Sequence, residues 1–153
     1  MYSFFFDELQ NEGITPMLFV SLYDALQGKV RLPANAEIFS SSTELTDDID
    51  YVVSLGGDGT LLDAAILVRD KGIPVAGINF GRLGFLASIG RNEMTEAVKG
   101  LARRSVVLDK RALIHLDASL PLFGDTPYAL NEFAIHKRDT APMIKIRTYL
   151  NGE

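Results

Sequence analysis

Asp50-Tyr51-Val52-Val53-Ser54-Leu55-Gly56-Gly57-Asp58-Gly59-Thr60-Leu61-Leu62-Asp63-Ala64-Ala65-Ile66-Leu67-Val68-Arg69 is the stretch on which the fold turns. Its opening, Asp50 to Leu55, is β-branched and aromatic and reads as a short buried strand. Its close, Thr60 to Arg69, is apolar on nearly every side and reads as a helix that must pack against a sheet. Between them lies a glycine turn with one carboxylate in it. Glycines let the backbone approach a ligand closely, and the free N–H groups at a helix start attract anions. Asp58 adds nothing to anion binding unless it takes a proton, holds a metal or grips a hydroxyl. The competing reading is a tight turn in which Asp58 or Thr60 caps the helix. The strand before and the helix after favour a phosphate site.

Alternating elements surround this unit. Tyr2, Phe5, Phe6 and Leu9 fall at helical spacing and Gly13 follows as a stop, which predicts an N-terminal amphipathic helix. Pro16 to Val20 reads as a strand and Ser21 to Gln27 as a short helix. Residues 28–50 are the least structured part, with a strand at Ile38-Phe39. Beyond the glycine turn come a strand over Ile73 to Ile78, a second glycine loop, and a helix from Asn92 to Arg103. This order predicts parallel strands with right-handed crossovers, an open Rossmann-like α/β sheet with flanking helices and ligands at the carboxyl ends of the strands. After Arg104 the pattern changes. Val106 to Leu116, Tyr128 to His136 and Met143 to Leu150 read as extended segments, the last running into the hairpin signal Asn151-Gly152. We therefore expect an α/β nucleotide-binding domain over residues 1–106 and the first strands of a β-rich second domain over 107–153, incomplete because no return strand follows the hairpin turn.

With 153 residues, 47% hydrophobic and 23% charged, the chain is long enough for one domain with a real core. The absence of cysteine excludes a disulfide framework, a cysteine-based zinc site and thiol catalysis. No apolar run approaches the roughly 20 residues of a membrane span, and Asp7-Glu8 interrupts the aromatic start too early for a signal peptide. A cytoplasmic location without membrane partners is expected. A formal charge of −5 argues against nucleic-acid binding. The charge is unevenly spread, however: residues 1–60 hold ten acidic and two basic side chains, residues 61–153 ten acidic and thirteen basic. The downstream basic residues, among them Arg82, Arg104, Lys110, Arg111, Lys137 and Arg138, include candidates for a polyanionic small ligand, although solvated surface charge accounts for most such residues.

Gly77-Ile78-Asn79-Phe80-Gly81-Arg82-Leu83-Gly84-Phe85-Leu86 forms the second glycine loop and follows the next strand, which puts it beside the first loop at one sheet edge. Asn79 and Arg82 offer donors there, and Phe85 a face on which a base stacks, against the alternative that Phe80, Leu83 and Phe85 plug the core. A third constellation, Ala129-Leu130-Asn131-Glu132, breaks an otherwise apolar strand with a polar pair. Burying that pair without partners costs roughly 1–3 kcal/mol per group, so the two are expected to meet a ligand or a backbone, or to cap a strand edge.

These three segments, in this order and spacing, resemble the NAD kinase family, from about Asp50 to the end of the chain. GGDGT alone is shared with diacylglycerol and sphingosine kinases and approximately with phosphofructokinases; the glycine loop and the Asn-Glu pair point to NAD kinases. The resemblance implies transfer of a phosphoryl group from ATP, or in some members polyphosphate, to the 2′-hydroxyl of the adenosine ribose of NAD, giving NADP. It implies that Asp58 accepts the proton of that hydroxyl and that Gly59 contacts NAD, with Gly57 and Thr60 in the same nucleotide-binding turn. Asn131 and Glu132 match the pair contacting the nucleoside portions, and Phe85 an aromatic beside the adenosine. A divalent metal, Mg²⁺ on the nucleotide phosphates, is expected with no dedicated protein ligands, as is a homo-oligomer at full length. Family members also carry a strand before the first helix and continue into a β-domain with Ala-Asp-Gly and Thr-Pro-Thr-Gly-Ser-Thr-Ala-Tyr segments, both outside this sequence; Pro142 stands where relatives often carry a basic residue. A lipid kinase sharing GGDGT and a non-catalytic dinucleotide-binding module are the other readings. The chain by itself is expected to lack kinase activity, and comparable turnover with and without the β-domain would overturn that expectation.

Overall fold

The computed structural model describes residues 1–81, 84–124, 126–136 and 143–153. Tyr2–Asn11 form helix α1, whose Phe5, Phe6 and Leu9 are buried on one side. The helix stops where the spacing predicts: Gly13 takes a left-handed φ of 71°, its N–H donates to the Gln10 carbonyl at 3.2 Å, and the Ile14 N–H donates to Leu9 at 2.9 Å. That pair of bonds satisfies carbonyls the helix end leaves open, and Ile14 then folds onto the same core as α1.

β1 (Met17–Phe19) leads directly into α2 (Val20–Leu26) and pairs in parallel with β2 (Glu37–Phe39). Phe19 and Phe39 sit opposite each other, their ring centroids 5.2 Å apart. β3 (Val52–Leu55), α3 (Asp58–Val68) and β4 (Val75–Ile78) form a parallel crossover unit in register from Val52↔Val75 to Leu55↔Ile78. α4 (Met94–Ala102) follows a single 3₁₀ turn at Arg91–Glu93 and packs on α1.

Alternation along the strands makes these pieces one layer covered on both faces. Leu18, Val53, Leu55 and Ile78 face a cluster built with α1, α2 and α4, including Phe5, Phe6, Leu26, Met94 and Val98. Met17, Phe19, Val52 and Val75 face a second cluster with Phe39, Leu45 and Val68. Strands buried on both faces are the mark of a parallel α/β sheet. The expected open sheet is present as two two-stranded parallel ladders, β1-β2 and β3-β4, with no ladder joining them among the described residues. Between β1 and β3 lies a cavity of about 1000 Å³, lined by Leu18, Val53, Leu55, Phe5, Phe6 and Ala64 among others. The two strand pairs flank it.

Residues 28–50 are mainly irregular, as expected, but they are pinned. Glu44 receives the N–H groups of Ser40 at 2.9 Å and Ser41 at 3.0 Å, and these bonds, that of Ser40 first, hold its carboxyl below the ordinary range. Leu45 then plugs the second cluster, and its carbonyl takes the Lys71 ammonium at 3.0 Å.

The C-terminal third carries less regular structure than its sequence pattern. Among the described residues of the three extended segments, β5 (Ile114–His115) and β6 (Tyr128–Ala129) are the strands that pair, antiparallel, with the His115 and Tyr128 rings 5.0 Å apart. Val107 is 99% exposed, and Met143 and Leu150 are exposed as well. Strands so short have little neighbouring surface to bury, and a two-stranded pair alone is marginal in water. The hairpin turn nonetheless forms: Asn151 and Gly152 have φ of 53° and 89°, and Leu150 and Glu153 exchange backbone bonds at 2.9 and 3.0 Å.

Gly77 marks the tightest packing in the layer. A Cβ there would stand 2.5 Å from the Leu61 side chain and 2.9 Å from the Ala87 Cα, so helix α3 and the chain after the second loop both close on it. Gly77→Ala is expected to cost about 1–3 kcal/mol by overpacking, read as a lowered urea midpoint at unchanged slope.

Candidate functional site

The ladder ends at Gly56, whose N–H donates to the Ile78 carbonyl at 3.0 Å, and the chain turns into α3. A Cβ on Gly56 would overlap the Thr60 side chain, 3.0 Å from its Cβ, so glycine here lets Thr60 fold back over the turn. Helix α3 begins at Asp58, two residues earlier than its apolar pattern predicts, with Gly57 as N-cap and no side-chain cap. The capping alternative for Asp58 and Thr60 is thereby set aside. The first N–H groups of the helix stay available to an anion, and Gly57 and Gly59, both exposed, have nothing within 4 Å of a notional Cβ.

Asp58 reaches across to the second loop. Its Oδ2 accepts the Phe85 N–H at 2.9 Å, and its Oδ1 accepts those of Leu86 at 3.0 Å and Ala87 at 2.9 Å. Three consecutive backbone amides thus surround one carboxylate, an anion seat made of main chain. They hold the carboxyl below the ordinary aspartate range, Ala87 contributing most, then Phe85 and Leu86, against a smaller opposing effect of desolvation. The two loops do lie side by side as the strand order predicts, and this carboxylate is what ties them.

Phe85 stands beside that bond with 97% of its surface exposed, so it does not plug the core. Phe80 does: it packs on the first cluster, edge-to-face with Tyr2 at 5.2 Å. Asn79 is 3% exposed, its side-chain oxygen taking the Gly81 N–H at 2.8 Å and its amide reaching the Ala87 carbonyl at 3.5 Å. Asn79 therefore shapes the loop from inside instead of presenting donors to solvent. Arg82, Leu83, Lys137, Arg138 and Pro142 lie outside the described residues. Of the other basic candidates, Arg104 is paired with Asp50 at 2.6 Å and Arg111 with Asp109 at 2.6 Å, both on the surface.

Asn131 and Glu132 differ from expectation in burial. Both are exposed, and among the described residues neither side chain makes a hydrogen bond. No desolvation cost forces them onto a partner. Asn131 has a left-handed φ of 97°, which turns the chain directly after β6. Because β6 packs on α3, the pair follows a strand held against the helix that begins at Asp58. Gly84 and the amides of Phe85, Leu86 and Ala87 are the site features that side-chain chemistry missed; the glycine was the only letter that pointed to them. Among the described residues there is no group of three or more His, Cys, Asp or Glu side chains fit to hold a metal ion. Asp58, with most of its lone pairs taken by amides, offers a cation little.

A family model described as ATP-NAD kinase N-terminal domain matches residues 25–106. The chain is 43% identical over 146 residues to an NAD kinase of Cytophaga hutchinsonii, covering 95% of this chain and 50% of that protein. It is 48% identical over 105 residues to one of Bacteroides fragilis, covering 69% and 36%. The chain thus spans about half, or less, of the length of these curated relatives. Among solved structures, yeast NADH kinase complexed with NADH is similar at a TM-score of 0.57 over 75% of this chain and 38% of that one; at 19% identity the likeness is one of fold.

The Asp58 seat has a definite acid limit. A carboxyl held below its ordinary value stabilises the folded arrangement above about pH 4, and that contribution is lost as the pH falls through the folded-state value. The amides of Phe85, Leu86 and Ala87 are expected to lose exchange protection in that acid window while those of Val53 and Ile78 keep theirs. Protection that persists below it would show that Asp58 does not hold the loop.

Proposed function

The chain belongs to the NAD kinase family, and on that premise we propose that it supplies the phosphoryl-acceptor side of an NAD kinase, where the 2′-hydroxyl of the adenosine ribose of NAD receives a phosphoryl group from ATP or polyphosphate. The observation that carries this reading is the position of Asp58: a carboxylate at a helix start with free amides, between two glycine loops, beside an exposed aromatic ring.

In this reading Asp58 accepts the hydrogen of the ribose hydroxyl. Two of the amides it holds fall on Oδ1 and one on Oδ2, so Oδ2 keeps a lone pair for that hydroxyl. A carboxylate kept ionised is a weak base but a dependable acceptor. That suits phosphoryl transfer, in which positioning and charge neutralisation contribute most. Gly57, Gly59 and Thr60 bring the start of α3 close to the phosphates; Phe85 stacks on the adenine; Asn131 and Glu132 meet the nucleoside, the carboxylate suited to a ribose diol and the amide to a base edge. A divalent cation, Mg²⁺, travels on the nucleotide phosphates. No described helix is long and apolar enough to cross a membrane. A cytoplasmic enzyme, homo-oligomeric at full length, with an α/β domain over residues 1–106 and a β-domain beginning at 107, completes the proposal.

The test joins this chain to the remaining half of the Cytophaga hutchinsonii NAD kinase and follows ATP-dependent NADP formation with a coupled assay. Asp58→Asn is expected to lower kcat by about 10² to 10⁴. An unchanged kcat would remove Asp58 from the chemistry, and no NADP from the parent fusion at any NAD concentration would leave the non-catalytic reading standing.

A further inference from the structure

Gly84 is a glycine for want of space. A Cβ placed on it would stand 2.5 Å from Cγ and 2.5 Å from Oδ2 of Asp58, and closer still to Oδ1. The contrast within the two loops is clear: Gly57 and Gly59 have nothing within 4 Å, and Gly81 meets only the Asn79 side chain at 3.9 Å. Gly84 alone among these four is filled by the carboxylate that the proposed chemistry uses.

We infer that Gly84 is a positioning residue for Asp58: its missing side chain is the floor of a seat whose walls are the Phe85, Leu86 and Ala87 amides, and the seat fixes which carboxylate oxygen faces a substrate hydroxyl. Oδ1 is used up by Leu86 and Ala87, so it is held inward. Oδ2, with only the Phe85 amide, is the oxygen beside the exposed ring. Such fixing matters because a misplaced acceptor loses the in-line geometry even when its charge is intact. The inference deepens the kinase reading and rests on it for its consequence in catalysis, whereas the seat itself requires no substrate.

The three atoms nearest a methyl group at position 84 all belong to the Asp58 carboxyl group, the end of one side chain, so Gly84→Ala is expected to displace the carboxylate more readily than it unfolds the chain. Among the described residues the groups that lower the Asp58 carboxyl are the Ala87, Phe85 and Leu86 amides, so its titration is read together with the exchange of those amides. The experiment is carbon-detected NMR titration of Asp58 with hydrogen exchange of residues 85–87, in the 153-residue chain and its Gly84→Ala variant. In the parent, the Asp58 carboxyl and the three amides are expected to titrate with one midpoint below the ordinary aspartate range. In Gly84→Ala the Asp58 midpoint returns to that range and the three amides exchange at least tenfold faster, while Val53 and Ile78 remain protected. An unmoved midpoint and unchanged exchange in the variant overturn the inference. If the variant does not fold, the parent decides alone: amides of 85–87 that fail to follow the Asp58 carboxyl overturn it equally. These readouts need no NAD, so an intact seat with no NADP formed by the fused protein would count against the kinase reading only.

Discussion

Three hydrogen bonds from Phe85, Leu86 and Ala87 to Asp58 hold the two glycine loops as one surface. The other ties of the loop after β4 among the described residues, through Asn79, Phe80, Ala87 and the Ile78–Ile89 bridge, lie on its inner side. The carboxylate stands among main-chain donors, a setting in which an ionised acceptor makes short, strong bonds. Everything that could touch a ligand outside this contact, the α3 amides, the Phe85 ring and the exposed Asn131-Glu132 pair, takes its place relative to it or to the helix it begins.

Much of this was legible in the sequence. Parallel strands around α3 followed from β-branched runs joined by an apolar helix, because strands buried on both faces carry no polar alternation. The end of α1 followed from Gly13, and the Asn151-Gly152 turn from a dipeptide that tolerates two left-handed residues. Asp58 stood out because a carboxylate in a glycine turn adds nothing to anion binding, which left helix capping or a role with a proton, metal or hydroxyl.

The rest was illegible for identifiable reasons. Backbone amides carry no letter, so the partners of Asp58 could be found only in three dimensions. The start of α3 at Asp58 lies in the glycine turn, where helix propensity is low and tertiary bonding to the second loop outweighs it. Asn131 and Glu132 were expected in a buried strand because the surrounding residues are apolar, yet apolar residues such as Ile135 and Val107 are themselves exposed. Hydrophobic patterning reports burial only where a second layer exists to cover it. Among the described residues the three extended segments likewise form one two-residue pairing.

The crossover unit and its seat are local in the chain. Every bond that builds the seat spans 27 to 29 residues, and β3, α3 and β4 are consecutive along the chain. Such contacts stay within one crossover unit, and the entropy of closing a loop grows only slowly with its length. The polypeptide can therefore assemble its two loops from one contiguous stretch of chain. The seat is thus written within residues 52–87, whereas its cover comes from α1, α2 and α4 and the Asn131-Glu132 pair lies outside that stretch.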